Sequence, residues 1–103
     1  MRVGVIGAGQ MGTGIAQVFV QAGYEVILHD VSDAQLKAGR ERIARTLGRT
    51  VEKGRMTRTE ANSALALLRL SGSLKEIGAT DLVVESATEN ETIKSMIANM
   101  IAM

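Results

Sequence analysis

Apolar and polar positions change period several times along this chain. The opening run Arg2-Val3-Gly4-Val5-Ile6 is short, apolar and β-branched, which predicts a buried strand. It leads directly into Gly7-Ala8-Gly9-Gln10-Met11-Gly12. Beyond that turn Met11, Ile15, Val18, Phe19 and Ala22 recur at helical spacing, and Gly23 is placed to end the helix in a left-handed cap. Glu25-Val26-Ile27-Leu28-His29-Asp30 is too brief for a helix and predicts a second buried strand. Strand, glycine turn, helix and strand together make a βαβ unit of about 30 residues.

The pattern then turns helical for a long stretch. Ser32 with Gln35 three residues on resembles a capping box, and Leu36, Ile43, Leu47 and Val51 give one apolar stripe of a helix ending near Gly54. Thr57 and Glu60 repeat the capping pattern before Ala61, Ala64, Leu65 and Leu68, so an antiparallel helical pair is expected. Residues 69–71 read as a short strand, 74–77 as one helical turn stopped by Gly78, and Leu82-Val83-Val84-Glu85 as another buried strand. Ile93, Ile97, Met100 and Ile101 share a helical face and predict a closing helix. Strands alternating with helices predict an α/β fold with a parallel sheet and right-handed crossovers.

Composition narrows the chemistry. The 103 residues are 46% hydrophobic and 22% charged, which suits one folded domain over residues 1–103. No apolar run approaches the roughly 20 residues that span a bilayer, and the N-terminus starts with a strand pattern instead of a cleavable leader, so a cytoplasmic protein with no membrane partner is expected. There is no Cys and one His, leaving no thiolate nucleophile and little for a metal site. One Tyr, one Phe and no Trp argue against a base-stacking nucleic-acid platform. The net charge of +1 hides an uneven distribution: residues 1–36 carry −2, residues 37–58 carry +6 and residues 59–103 carry −3. The basic middle segment is the outer face of the first helix of the pair, where most of its arginines are expected to be solvated.

The glycine turn carries the sharpest signal. It follows a strand, opens a helix and precedes an acidic residue, Asp30, 18 positions after Gly12 at the end of the next strand. In that context Gly7 permits the tight turn, Gly9 lets a pyrophosphate approach the backbone, and Gly12 allows close helix packing. The helix N-terminus supplies open N–H donors and partial positive charge. Asp30 can accept the adenosine ribose hydroxyls and would repel a 2′-phosphate, and Val31 rather than a cation follows it, so NAD is favoured over NADP. His29 is the one side chain with an ordinary pKa near neutrality. Side chains alternate along a strand, so it is expected to face away from Asp30 and to act as a packed residue, not a base.

The run from Val3 through Gly12 to Thr13-Gly14-Ile15-Ala16-Gln17, the Gly23-Tyr24-Glu25-Val26 entry to the second strand, and Asp81-Leu82-Val83-Val84-Glu85-Ser86-Ala87-Thr88-Glu89-Asn90 closely resemble the NAD-binding domain of 3-hydroxyacyl-CoA dehydrogenases, including bacterial 3-hydroxybutyryl-CoA dehydrogenases. The resemblance spans nearly the whole chain. It implies a Rossmann-type doubly wound sheet of about four strands in order 3-2-1-4, with the helical pair inserted after the second strand. It also implies interconversion of 3-hydroxyacyl-CoA and 3-oxoacyl-CoA with hydride exchange at NAD. Cofactor contacts would come from Gly7, Ala8, Gly9, Gln10, Met11, Gly12 and Asp30, and Glu89 and Lys94 would lie near the nicotinamide half. Thr46 and Lys53 fall where the family contacts coenzyme A. The family's catalytic histidine and glutamate, and its helical dimerising domain, correspond to nothing in these 103 residues, so no catalytic residue is assigned here and the isolated chain is expected to bind cofactor with little turnover.

Two other readings share the glycine turn: a free-standing NAD-sensing module, and an NAD-dependent hydroxy-acid dehydrogenase of related fold. Thr46, Lys53 and the Glu89-Asn90 pair favour the acyl-CoA reading over the hydroxy-acid dehydrogenase, while a free-standing module is expected to close its sheet and end in a polar cap and not on Met100-Ile101-Ala102-Met103. A sheet ending at Leu82-Val83-Val84 would present an open apolar edge, which predicts self-association through residues 82–103 or a homodimer.

Overall fold

The computed structural model describes residues 1–86 and 100–102. The elements follow in the order β1 (Arg2–Ile6), α1 (Gln10–Gln21), β2 (Glu25–His29), α2 (Asp33–Glu52), α3 (Arg58–Ala66), β3 (Leu68–Ser71), α4 (Leu74–Ile77), β4 (Leu82–Glu85) and β5 (Met100–Ala102). They build one sheet in the order β3-β2-β1-β4-β5. Its first four strands are parallel, in the expected 3-2-1-4 arrangement, with Val5 opposite Leu28 on one side and Val84 on the other. The order of strands reverses at β1, whose neighbours β2 and β4 leave it in opposite directions. Open α/β sheets bind ligands at the carboxyl ends of the strands beside such a reversal.

Alternation along the strands sorts side chains into two layers. Val3, Val5, Val26 and Leu28 face α1, α2 and α3, where they pack with Ala16, Val20, Leu36, Ile43, Leu47, Ala61 and Ala64. Ile43 and Leu47 are buried completely or nearly so, and truncating either to Ala is expected to cost about 2–5 kcal/mol. The opposite face holds Ile6, Ile27 and Val83 against Ile77 of α4. Gly4 of β1 permits that approach, because a Cβ there would meet the Thr80 hydroxyl at 2.9 Å and Ile77 at 3.1 Å.

The helix ends follow local chemistry. Gly23 takes a φ of +93° just past α1, as expected for the left-handed cap, and Gly54 takes +74° past α2. Ser32 caps α2 by accepting from the Gln35 N–H at 3.2 Å. The Thr57–Glu60 capping box is complete in both directions.

Three expectations are corrected. Leu68 belongs to β3 and not to the helix before it: α3 stops at Ala66, and Leu68 is buried as a strand residue paired with Val26. Met100 and Ile101 lie in β5, an antiparallel strand, and not in a helix; Ile93 and Ile97 lie outside the described residues. The β4 edge is not open. Val83 and Val84 pair with Ile101 and Met100, so backbone groups that would have faced solvent are bonded within the chain.

Candidate functional site

The site is built where β1 ends. Gly7 leaves the strand with a φ of +103°, a conformation that side chains strongly disfavour, while its N–H donates to the His29 carbonyl at 2.7 Å. Gly12 then comes so close to this turn that a Cβ on it would lie 1.7 Å from the Gly7 carbonyl oxygen and 2.6 Å from the Ser86 hydroxyl. That is the close helix packing expected of the third glycine. The second behaves oppositely. A Cβ on Gly9 would meet nothing within 4 Å, so it borders open space.

Three side chains hold this turn, one from α1 and two from the residues just past β2 and β4. The Asp30 carboxylate accepts from the Ala8 N–H at 2.9 Å and from the Ser32 N–H at 2.8 Å. The Ser86 hydroxyl, just past β4, lies 3.0 Å from the Ile6 carbonyl and 3.2 Å from that of Gly7. The Thr13 hydroxyl donates to the Ala8 carbonyl at 3.1 Å from a side chain that is fully buried. Gly9 is the N-cap of α1, and no side chain caps that helix start and no acid occupies its first turn. The N–H groups of Gly9, Gln10, Met11 and Gly12 therefore have no i−4 partner within the helix and lie at the positive end of its dipole, with Gly9 and Gln10 exposed. An anionic, phosphate-bearing ligand fits this cradle.

Asp30 is electrostatically poised. Partial burial pushes its carboxyl up, but the N–H groups of Ala8, Ser32 and Val31 and the neighbouring His29 outweigh that and hold it below the ordinary aspartate range. It stays ionised, and a carboxylate's four lone-pair positions are not all taken by these N–H groups, so it can still accept from a ligand hydroxyl. Val31 beside it is almost fully exposed, at 93%. His29 takes the opposite side of β2, buried with its Nδ1 2.9 Å from the Ser71 carbonyl, as alternation predicts.

Gly7, Ala8, Gly9, Gln10, Met11, Gly12 and Asp30 are thus brought together. Thr46 and Lys53 are not part of this cluster. Gly39 is where α2 touches the turn, and at 1.5 Å per residue Thr46 and Lys53 lie roughly 10 and 20 Å farther along the helix. They share one stripe with Arg42 and Arg49. The Thr46 hydroxyl donates to the Arg42 carbonyl at 2.9 Å and accepts from Arg49 at 3.3 Å, while Lys53 is exposed at the C-cap. One Arg42 guanidinium nitrogen is buried without a partner among the described residues. Glu89 and Lys94 lie outside the described residues. Sequence reasoning missed Thr13, Ser86 and Arg42. A polar Thr on the buried face with Gly12, Ala16 and Val20 was a legible signal for the first. The hollow bounded by Arg2, Gly23, Glu25, Leu67 and Asp81 lies at the other, N-terminal ends of the strands.

Comparison with known proteins gives a family match over residues 2–103, to the family described as 3-hydroxyacyl-CoA dehydrogenase, NAD binding domain. A 3-hydroxybutyryl-CoA dehydrogenase of Mycobacterium tuberculosis is 45% identical over 96 residues, covering 93% of this chain and 34% of that protein. A probable 3-hydroxybutyryl-CoA dehydrogenase of Bacillus subtilis is 39% identical over 94 residues, covering 91% of this chain and 33% of that protein. The crystal structure of (S)-3-hydroxybutyryl-CoA dehydrogenase PaaH1 from Ralstonia eutropha superposes with a TM-score of 0.83 at 41% identity, over 94% of this chain and 34% of that one. The chain spans about a third of the length of the relatives it matches.

Proposed function

From the premise that the chain belongs to the family of 3-hydroxyacyl-CoA dehydrogenase NAD-binding domains, we propose that it serves a protein that interconverts 3-hydroxyacyl-CoA and 3-oxoacyl-CoA. Residues 1–103 act as one NAD-binding unit of Rossmann type. The observation that carries this reading is the uncapped start of α1 beside open space at Gly9, with the ionised Asp30 joined to the same turn. Residues 7–12 receive the pyrophosphate, and Asp30 receives the adenosine ribose. Glu89 and Lys94 are assigned to the nicotinamide half by resemblance.

NAD, when bound, takes up or returns the hydride. The chain's own share is binding and orientation. Hydride removal from an alcohol requires a base for the hydroxyl proton, and His29, on the far side of β2 and bonded to Ser71, does not face the cradle. His29 is therefore not assigned as that base, and the proposed role of these residues is to bind and orient the cofactor, with little turnover expected of the 103-residue chain alone.

The acyl-CoA lies along α2. Lys53 and Thr46 are proposed contacts, supported by the basic stripe with its buried, unpartnered Arg42 nitrogen, since coenzyme A brings several phosphate charges. A cytoplasmic location, where NAD and acyl-CoA are both supplied, goes with this reading. Self-association no longer rests on an open β4 edge; exchange of Met100–Ala102 between copies would make the same antiparallel bonds, and sedimentation at micromolar concentration reads it.

Calorimetric titration with NAD and NADP tests the cofactor assignment: NAD is expected to bind more tightly, and equal affinities would remove Asp30 from the ribose. Lys53→Glu is expected to weaken coenzyme A binding while sparing NAD. Equal effects on both, or on neither, would take Lys53 out of the site.

A further inference from the structure

The glycine turn contains two successive peptide groups held in different ways. A trans peptide is planar, with its C=O and N–H pointing in opposite directions, so fixing one end aims the other. The peptide between Gly7 and Ala8 is held at both ends, its carbonyl near the Ser86 hydroxyl and its N–H on Asp30. The next peptide, between Ala8 and Gly9, is held at its carbonyl by the Thr13 hydroxyl at 3.1 Å. Its other end, the Gly9 N–H, is the first of the open donors at the start of α1.

We propose that Thr13 is a positioning residue for the cofactor: by holding the Ala8 carbonyl inward, its hydroxyl aims the Gly9 N–H outward at the pyrophosphate. This rests on the NAD reading above and adds a residue that touches no part of the ligand. The geometry around Thr13 supports it. The side chain is 1% exposed, so its hydroxyl has no solvent alternative to Ala8. Gly39 of α2 leaves just enough room for it, since a Cβ there would come within 3.0 Å of the Thr13 oxygen and 3.5 Å of the Ala8 oxygen. The contact between α1 and α2 at this point encloses the hydrogen bond that orients the turn.

The test compares ligands that do and do not carry the pyrophosphate. NAD, ADP and adenosine are titrated into the wild-type chain and into Thr13→Val, which keeps the shape and removes the hydroxyl. Thr13→Val is expected to weaken NAD and ADP roughly fivefold or more, the size of one lost hydrogen bond, and to leave adenosine unchanged. Thr13→Ser should restore ADP affinity. Gly39→Ala, acting from another helix by pressing on the hydroxyl, should weaken ADP in the same direction. A merely structural Thr13 would lower Tm and weaken all three ligands alike, and that result overturns the inference. So does a Thr13→Val chain that binds ADP as the wild type does. A wild-type chain that binds neither NAD nor ADP overturns the cofactor reading itself and this inference with it.

Discussion

The starts of α1 and α3 solve the same physical problem in opposite ways. Both helices pack on the same face of the sheet, and each begins with four N–H groups that the helix itself cannot bond. At α3 the sequence supplies the partners: Thr57 accepts from the Glu60 N–H at 3.0 Å and the Glu60 carboxylate accepts from the Thr57 N–H at 2.9 Å. At α1 the N-cap is Gly9, which has no side chain to offer, and no acid follows in the first turn. The polar groups near α1 go instead to the turn behind it, where Asp30, Thr13 and Ser86 hold Ala8 and Gly7. One helix start is closed by its own residues; the other is bonded from behind and has no side-chain cap in front, where the proposed pyrophosphate site lies.

The largest way to break this contrast is at Gly12. A methyl group there would sit 1.7 Å from the Gly7 carbonyl, which is backbone and cannot swing aside. Gly12→Ala is expected to destabilise the chain by about 3 kcal/mol or more and to abolish NAD binding, read by thermal unfolding and titration. Retained stability would mean that the turn adjusts more freely than its bonds to Asp30 and Ser86 suggest.

A smaller change turns α1 into a helix start of the α3 kind. Gly9 has a φ of −72°, which any residue adopts, and its added Cβ would point into open space. Gly9→Asp can therefore cap α1 and is expected to change stability by only a few tenths of a kcal/mol. NAD affinity should fall by about a hundredfold, because a carboxylate would then occupy the N–H groups meant for phosphate and repel it. Unchanged affinity would separate the cofactor from this helix end.

How much of this was legible in the sequence differs with the range of the interaction. The glycine turn, Asp30 and the capping box at Thr57 are local patterns, and each takes the form that its spacing implies. Leu68 looked helical because it continues the spacing of Ala61, Ala64 and Leu65, yet α3 ends at Ala66 and pairing with Val26 claims Leu68 for the sheet. Met100 and Ile101 fit a helical spacing in the same way, yet they pair with Val84 and Val83, contacts that no local period reveals. Thr13 could be marked as a polar residue on an apolar face. Its role depended on Gly39 closing over it, which only packing of α2 on α1 brings about. The stripe from Arg42 to Lys53 was visible as charge, but the burial of one Arg42 nitrogen was not.

Next in size is the closed helix start. Thr57→Ala removes the oxygen that accepts from Glu60 and is expected to cost about 1 kcal/mol of stability. NAD affinity should stay within measurement error, since α3 contributes nothing to the cradle. A parallel loss of affinity would show that α3 and the glycine turn are mechanically linked, and the two helix starts would no longer be independent.

The smallest effect separates the two ends by acid. Both carboxylates are held below their ordinary range. For Asp30, burial acts upward but is outweighed by the N–H groups of Ala8 and Ser32; for Glu60, the Thr57 backbone N–H acts first and the Thr57 hydroxyl second. A carboxyl whose pKa is lower in the folded chain contributes stability that is full above its unfolded pKa and is lost as pH falls through the folded one. Both contributions should thus be intact at neutral pH and disappear below about pH 4. Asp30→Asn should flatten the acid limb of a stability profile measured between pH 7 and pH 3 more than Glu60→Gln does, because Glu60 is fully exposed and its bonds compete with water. In ligand binding the difference should be qualitative: acidification through the Asp30 transition should weaken NAD in the wild type, and Glu60→Gln should leave that dependence untouched. If Glu60→Gln shifted the pH dependence of NAD binding as much as Asp30→Asn, the carboxylate at the closed helix start would be serving the open one, and the division of labour between them would fail.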